Sequence, residues 1–159
     1  MRIVVKISSQ VLELLDENGA MLTSYAVSTA ARGPGEQSGS FCTPQGLHYV
    51  RAKIGGGQPV NAVFVGRRPT GEVYSPGLAA DHPGRDWILT RILWLCGREP
   101  GVNRLGSVDT MRRFIYIHGS PDDVAMGVPG SHGCIRMRNA DILELFERVT
   151  VGTPVEILA

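Results

Sequence analysis

The apolar residues of this chain fall into short runs, and stretches rich in glycine, proline and serine separate these runs. In the first run, Ile3, Val5 and Ile7 alternate with their neighbours at the period of two that a half-buried strand shows. Asn18-Gly19 is a strong signal for a tight turn between the second and third runs, because both residues tolerate a positive φ. The pattern predicts strands at residues 3–8, 11–15, 21–29, 46–54, 61–65, 87–95, 114–117 and from 154 onward.

One helix is predicted near the C-terminus. Asn139 is a good N-cap, Asp141 lies in the first turn, where the helix dipole favours an anion, and Gly152 is a C-terminal stop. The apolar residues of this segment have the spacing of one buried helical stripe: Ile142, Leu145, Phe146 and Val149. Loops or irregular segments are predicted at 31–40, 72–85, 99–106 and 119–130. This order predicts a mainly-β fold, a β-sandwich or open barrel with one clear helix, in a single domain spanning residues 1–159.

One short segment carries most of the chemical information. The run Ser131-His132-Gly133-Cys134-Ile135-Arg136-Met137 places a thiol next to a glycine, and His118-Gly119 precedes it. A cysteine becomes a nucleophile when a neighbour lowers its thiol pKa and nearby donors receive the charge that its attack creates. Gly133 leaves the backbone beside Cys134 unobstructed, so amide N–H groups can face an oxyanion. His118 and His132 are the two candidate bases, and pairing with an imidazole can lower a thiol pKa by about one unit or more.

Each of these residues also has a structural interpretation. Cysteine is often buried, so Cys134 alone could be a core thiol, and His118 could simply end a strand. The His132 ring could pack rather than transfer a proton, and Ser131, a candidate substrate contact, is expected to hydrogen-bond the turn. On a strand, Arg136 shares a face with Cys134, so its guanidinium could bind a substrate carboxylate or form a structural ion pair. Three further arginines are candidates for binding carboxylates: Arg91, Arg112 and Arg113.

Together, the run Ser131–Met137 and the upstream His118-Gly119 resemble the signature of the L,D-transpeptidase catalytic-domain (YkuD-like) family. The resemblance extends over nearly the whole chain, including Met126–Gly130 before the signature and Gly152–Ile157 near the end. Residues 90–95 resemble those of a compact subgroup of this family whose members lack export signals.

This resemblance implies an L,D-transpeptidase-like β-sandwich or open barrel, and it assigns parts to the site residues. It implies that Cys134 is the nucleophile, that His118 is the base that activates it, and that the Gly119 carbonyl orients the imidazole. It further implies an oxyanion hole formed by main-chain N–H groups of the His132-Gly133-Cys134 turn. Members of the family break the L,D bond after the third residue of peptidoglycan stem peptides. No cofactor or metal is predicted.

Charge and hydropathy exclude several other classes of function. The net charge of +1 gives no electrostatic case for nucleic acid or an anionic membrane, and no run approaches the ~18 apolar residues of a membrane span. Met1-Arg2 leads directly into the first predicted strand, so a cytoplasmic location is expected, with a periplasmic location as the alternative if a leader has been removed. Cys42 and Cys96 are expected to be reduced and buried, and a bridge between them is the alternative.

Two enzymatic functions share this Cys/His site. A cysteine L,D-carboxypeptidase removes the terminal D-alanine from a tetrapeptide stem, and it is favoured because the cytoplasm holds recycled muropeptides but no wall to cross-link. An L,D-transpeptidase instead joins two stems through a side-chain amine. A non-catalytic peptidoglycan-binding module would need neither nucleophile nor base. A zinc site at His118, His132 and Cys134 lacks an evident fourth ligand and a glutamate base.

Overall fold

The computed structural model describes residues 1–159 and contains ten strands and two α-helices. The strands are β1 (Arg2–Lys6), β2 (Val11–Leu15), β3 (Met21–Ser28), β4 (Gly46–Ile54), β5 (Ala62–Val65), β6 (Arg68–Val73), β7 (Ile88–Gly97), β8 (Tyr116–Ser120), β9 (Ile135–Arg138) and β10 (Pro154–Leu158). The helices are α1 (Pro76–Asp81) and α2 (Asn139–Arg148), and a 3₁₀ turn covers Gly106–Val108.

A single sheet contains all the strands, in the order β4-β10-β1-β2-β3-β9-β8-β7-β5-β6. Strand β4 also pairs with β7, from His48 opposite Gly97 to Ile54 opposite Ile92. This additional pairing closes every strand except β5 and β6 into a barrel, and the β5–β6 hairpin extends from the start of β7. The prediction of a mainly-β fold with one clear helix near the C-terminus is confirmed, and the sheet is closed.

The two faces of the barrel wall carry separate apolar clusters. Alternate residues point inward, so Ile117 of β8 and Ile135 of β9 join the main core together with the buried stripe of α2. Tyr116 of β8 points to the other face, where it belongs to a smaller cluster with Phe64 and Ile92. Cys134 packs against this smaller cluster. The wall formed by β8 and β9 therefore separates the core from the face that carries the thiol.

The start of α2 differs from the prediction. Arg138 is the N-cap, and no side chain caps the helix there. Asn139 is the first helical residue, and its buried side chain hydrogen-bonds Thr90, Asn61 and Asp122. The N-cap prediction for Asn139 is wrong, because tertiary hydrogen bonds compete successfully for its side-chain amide.

The segment 72–85, predicted to be irregular, contains the end of β6 and the helix α1. Ser75 caps α1 by accepting a hydrogen bond from the Leu78 N–H at 3.1 Å, and Pro76 begins the helix. Ser75 and Pro76 together are a recognisable signal for the start of a helix. The glycine and proline residues around them nevertheless suggest irregular structure. No helix of the structure has the length and the apolar character that crossing a membrane requires.

Strand β6 is not indicated by the sequence pattern, because Pro69 and Gly71 interrupt any apolar alternation. It pairs with β5 in antiparallel fashion, with Val65 opposite Arg68, so the residues between these two form the hairpin turn. Both turn residues, Gly66 and Arg67, have a positive φ, as in the tight turns typical of hairpins. The turn brings Arg67 to the same cavity as Cys134.

Strand β8 begins at Tyr116, later than the predicted start at Phe114. Phe114 has a φ of 57°, a left-handed conformation outside strand geometry. His118 therefore lies in the middle of β8 rather than at its C-terminal end, and Gly119 belongs to the strand rather than to the following loop. The central position fixes the His118 side chain on one face of the sheet.

His48 of β4 is a buried histidine outside the candidate site. Its Nδ1 lies 3.0 Å from the Gly46 carbonyl oxygen, and its Nε2 lies 2.9 Å from Thr110 Oγ1. Burial lowers the pKa of His48 from its ordinary 6.5 to about 4. The unfolded chain therefore binds more protons than the folded protein between these pH values, so stability is lost as the pH falls through that window.

We expect His48 to contribute about 2–3 kcal/mol to the loss of unfolding free energy between pH 7.5 and pH 4.5. Urea denaturation of the wild type and of His48→Gln at both pH values measures this contribution. The variant should lose less stability on acidification than the wild type. Equal losses in the two proteins would show that His48 is not the titrating group.

Candidate active site

The parallel pairing of β8 and β9 brings the predicted nucleophile and base together. His118 of β8 lies opposite Arg136 of β9, and Cys134 precedes Arg136 by two positions, on the same face. Adjacent strands are ~4.8 Å apart and rise ~3.3 Å per residue, so the α-carbons of His118 and Cys134 are about 8 Å apart on this diagonal. A thiol and an imidazole at that spacing can reach one another.

Both side chains line a cavity of about 400 Å³. The structure brings five of the sequence-predicted residues to this cavity: His118, Ser131, His132, Cys134 and Arg136. Charged groups in the lining are two arginines and one aspartate: Arg67, Arg136 and Asp86. The volume lies within the range typical of sites for small ligands.

His118 is 1% exposed, and its Nδ1 lies 2.6 Å from the Gly119 carbonyl oxygen. Because a carbonyl only accepts, Nδ1 carries the ring proton and donates it, which leaves Nε2 unprotonated. No group of the protein hydrogen-bonds Nε2. Burial lowers the pKa of His118 and keeps the ring neutral. A neutral imidazole with an unoccupied Nε2 can act as a general base.

Close packing behind Gly119 fixes the carbonyl that orients the imidazole. A β-carbon at Gly119 would lie 2.6 Å from Asn139 Oδ1 and 2.6 Å from a backbone oxygen of β7, so only glycine fits without a shift. Asn139 accepts a hydrogen bond from Thr90 Oγ1 and donates to Asn61 Oδ1 at 2.8 Å and Asp122 Oδ1 at 3.2 Å. This partly buried network ties β7, the segment before β5 and the loop after β8 to the start of α2, which packs behind Gly119.

The Cys134 sulfur lies against the start of β8. The Tyr116 N–H donates to Sγ at 3.3 Å, and Sγ is 3.4 Å from the Phe114 carbonyl oxygen. Burial raises the pKa of the Cys134 thiol to about 12, and it outweighs the Tyr116 N–H and the charges of Arg136 and Arg113, which favour the thiolate. Here burial, rather than pairing with an imidazole, sets the direction of the shift in the thiol pKa. No hydrogen bond joins Sγ to the imidazole, and burial shifts the pKa of each group in the direction that favours its neutral form.

Ser131 and Gly133 shape the turn before Cys134. Ser131 Oγ donates to the Cys134 carbonyl oxygen and accepts from the Gly133 N–H at 3.2 Å, so both of its hydrogen bonds stay within the turn. Gly133 has a φ of 129°, and a β-carbon there would lie 3.2 Å from the Cys42 carbonyl oxygen. The N–H groups of His132 and Cys134 have no partner in the protein. These two amides are therefore the ones available to an oxyanion.

The segment 33–43 supports this turn from outside. Thr43 Oγ1 donates to the Gly133 carbonyl oxygen at 2.9 Å. Arg113 binds the same segment by donating to the carbonyl oxygens of Gly35, Glu36 and Cys42. The Arg113 guanidinium is thus committed to holding the loop, which favours a structural part for it over binding a substrate carboxylate.

Arg136 and Arg91 are committed in the same way. Arg136 Nη1 donates to the Gly130 carbonyl oxygen at 3.1 Å, and Nη2 pairs with Asp86 Oδ1 at 3.2 Å. Both arms of its fork are used, which favours the structural ion pair over the carboxylate anchor. Arg91 is buried and does not line the cavity, and its Nη1 donates to two backbone carbonyls. Arg112 lines a neighbouring cavity of about 310 Å³.

The His132 ring lies at the boundary between the two cavities. It is exposed, and it packs edge-on against Phe41 with the ring centroids 6.0 Å apart. No hydrogen bond connects the ring to Cys134, so packing describes it better than proton transfer. No group of three His, Cys, Asp or Glu side chains is placed to hold a metal ion, which leaves the zinc hypothesis without a ligand set.

The sequence patterns do not point to the other six residues of the cavity lining: Gly66, Arg67, Asp86, Ile88, Phe114 and Tyr116. Arg67 reaches the site through the β5–β6 hairpin, and Asp86 lies in the loop before β7. Tyr116 does carry a usable signal, because it precedes His118 by two positions on a strand and so shares its face. The Cys42–Cys96 bridge does not form, and all three cysteines are unpaired.

Comparison with known proteins places these features in a family. A family model described as the L,D-transpeptidase catalytic domain (YkuD) matches residues 1–157. The probable L,D-transpeptidase YbiS of Escherichia coli is 48% identical over 46 residues, which are 29% of this chain and 15% of that protein. The probable L,D-transpeptidase ErfK/SrfK of Salmonella typhimurium matches with the same identity and coverage. The matched segment thus spans only 15% of the length of these curated relatives.

Solved structures share the fold at low sequence identity. An L,D-transpeptidase from Mycobacterium smegmatis has a TM-score of 0.57 with 20% identity, over 99% of this chain and 58% of that chain. An Enterococcus faecium L,D-transpeptidase has a TM-score of 0.58 with 18% identity, over 99% and 49%. L,D-transpeptidase 3 from Mycobacterium tuberculosis, in complex with a faropenem-derived adduct, has a TM-score of 0.59 with 16% identity, over 99% and 59%.

The raised pKa of Cys134 predicts an unusual pH profile for its alkylation. The rate with iodoacetamide should keep rising by about tenfold per pH unit through pH 10, because the thiolate fraction is still increasing. A free thiol such as N-acetylcysteine should level off above its pKa of ~8.5 under the same conditions. Peptide mass spectrometry of the Cys134 adduct gives the rate. A plateau near pH 7 would instead indicate a stored thiolate–imidazolium pair.

Proposed function

The chain belongs to the L,D-transpeptidase catalytic domain family, and we propose that it acts as a cysteine L,D-carboxypeptidase on peptidoglycan tetrapeptide stems. The reaction removes the terminal D-alanine through a thioester intermediate. One observation carries the proposal: Cys134 and an imidazole with an unoccupied Nε2 lie on one face of a parallel strand pair, inside one cavity.

The first half of the reaction forms the thioester. Nε2 of His118 accepts the thiol proton while Cys134 Sγ attacks the carbonyl carbon of the third stem residue. The S–C bond forms, and the oxyanion is received by the turn amides, each well-placed donor lowering the barrier by about 3–4 kcal/mol. The C–N bond then breaks, and the imidazolium returns the proton to the amine of the departing D-alanine.

The second half releases the tripeptide. Water attacks the thioester carbonyl carbon, and His118 accepts a proton from that water. The C–S bond breaks as the imidazolium protonates the departing sulfur, which restores the neutral pair. Because thiol and imidazole are both neutral at rest, proton transfer accompanies the attack in each half. His118 thus acts as a general base rather than as the counter-ion of a stored thiolate.

The shape of the site supports water as the acceptor. The cavity of about 400 Å³ has the size of a site for one small ligand, and its rim at Phe114 and His132 is exposed. Water can reach a thioester on Cys134 through this rim while the tripeptide is still attached.

A second observation supports the alternative, an L,D-transpeptidase with the same Cys/His pair. The neighbouring cavity of about 310 Å³ shares Phe114 and His132 with the first cavity. A second stem bound there could bring a side-chain amine to the thioester from the opposite direction. Cross-linking differs from hydrolysis only in the acceptor, so the products distinguish the two functions.

The purified protein, incubated with a disaccharide-tetrapeptide, should release D-alanine and yield the tripeptide. Cys134→Ala should abolish turnover, because no nucleophile remains. His118→Ala should lower kcat by about 10²–10⁴-fold, the usual contribution of a general base. Liquid chromatography with mass spectrometry detects both products. Cys96→Ala, which changes a buried cysteine outside the cavity, is the matched control and should retain turnover.

Formation of cross-linked dimer without tripeptide would overturn hydrolysis in favour of transpeptidation. Absence of either product, from a protein whose fold is intact by circular dichroism, would contradict the proposed substrate class as a whole.

A carbapenem should acylate Cys134. The ring-opened β-lactam would form a thioester with the same sulfur, and other proteins of this fold have been solved with a faropenem-derived adduct and in complex with imipenem. Intact-mass spectrometry after incubation with imipenem should show one adduct on the wild type and on Cys42→Ala, and none on Cys134→Ala. No adduct on the wild type would contradict the prediction.

A further inference from the structure

Arg67, at the tip of the β5–β6 hairpin, lies over the rings of Phe114 and Trp94 and lines the same cavity as Cys134. Its guanidinium carbon is 4.4 Å from the ring centroid of Phe114 and 5.0 Å from that of Trp94. Its Nη1 donates to Tyr116 Oη at 3.0 Å. Stacking on two rings together with one hydrogen bond holds the guanidinium at a defined place in the cavity lining.

The positive charge of Arg67 has no acidic partner in the protein, and it appears in none of the ion pairs. Only Nη1 makes a hydrogen bond, so Nη2 and Nε have no protein partner although the side chain is half-buried. In the same cavity, Arg136 is neutralised by Asp86. Arg67 is therefore the cation of this cavity that the protein leaves uncompensated.

Tyr116 adds a second donor beside Arg67. Its Oη accepts from Arg67 Nη1, and its own O–H has no acceptor in the protein. Burial raises the pKa of Tyr116, so the hydroxyl is protonated at neutral pH. A guanidinium and a hydroxyl at one place in a partly desolvated cavity form a donor set that suits a carboxylate.

Tyr116 also sets the distance from these donors to the nucleophile. Its backbone N–H contacts Cys134 Sγ at 3.3 Å, while its Oη contacts Arg67. The length of one tyrosine residue therefore separates the guanidinium from the sulfur. In a peptide attacked at its last amide, only the amide nitrogen and one α-carbon separate the attacked carbonyl from the terminal carboxylate. Arg67 and the sulfur line one cavity, so the proposal places the carboxylate on the Arg67 side of the attacked carbonyl.

We propose that Arg67 and Tyr116 form the subsite for the terminal carboxylate of the leaving D-amino acid, so that the site selects a free peptide C-terminus over an amidated or extended one. The inference rests on the proposed function and names the residues that select its substrate. It assigns to Arg67 the anchoring part that the sequence offered to Arg136 as one of two alternatives.

The test compares two ligands, a tetrapeptide stem ending in D-alanine and the same peptide ending in D-alaninamide. Both retain the carboxylates of the earlier residues, so the comparison isolates the terminal one. Isothermal titration calorimetry with Cys134→Ala, which binds without reacting, should show the acid binding about 10–100-fold more tightly than the amide.

Adding Arg67→Gln to Cys134→Ala should reduce this ratio to about 2-fold, chiefly by weakening the binding of the peptide acid. Tyr116→Phe, which keeps the ring and removes the hydroxyl, should reduce the ratio in part. Arg67→Lys keeps a charge and an aliphatic stem over the rings, and it should retain an intermediate ratio. The matched control is Arg68→Gln, the next residue of the same hairpin, which is exposed and should leave the ratio unchanged.

Equal binding of acid and amide to Cys134→Ala would overturn the subsite, as would an undiminished ratio in Arg67→Gln. The turnover assay on the wild type separates this failure from failure of the proposed function. If the wild type releases D-alanine but does not discriminate against the amide, the subsite proposal is contradicted and the proposed function is supported. If neither peptide binds and neither is turned over, both proposals fall.

Discussion

The parallel pairing of β8 with β9 is the constraint on which the rest of the site depends. Parallel strands place residues of two distant segments in a fixed register, so the offset between Cys134 and His118 is set by the backbone ladder rather than by side-chain flexibility. Inward-pointing Ile117 and Ile135 lock that register into the core, because a slip by one residue would expose both. Helix α2 follows β9 directly and packs on the same wall, which makes the site part of the barrel.

Desolvation governs the chemistry of this wall more than charge does. Burial keeps both the Cys134 thiol and the His118 imidazole neutral, although Arg136 and Arg113 lie close enough to favour a thiolate. In the proposed reaction, a bound carbonyl lets bond formation and proton transfer occur together. The Gly119 carbonyl holds the ring in the orientation that leaves Nε2 free.

Much of this arrangement follows from local sequence. The strand Gly46–Ile54 has the predicted bounds because its alternation is local. The run around Cys134 points to the candidate nucleophile and, by resemblance, to its candidate base, His118. The sequence could not reveal Arg67 as a site residue, because Pro69 and Gly71 hide the second strand of its hairpin. The side chain of Asn139 hydrogen-bonds residues that are far apart in the chain. The direction of the shift in the thiol pKa depends on burial. These outcomes depend on tertiary contacts that no local pattern encodes.

Closing the sheet has a consequence for how the molecule avoids association with its own copies. A barrel hides the backbone N–H and C=O rows of its strands, and here the row still open to a passing chain belongs to the outer side of β6. The proline of that strand offers no N–H, a glycine interrupts the strand, and it carries the charges of Arg68 and Glu72. The same irregular composition that hides this strand from pattern-based prediction makes it a poor template for aggregation.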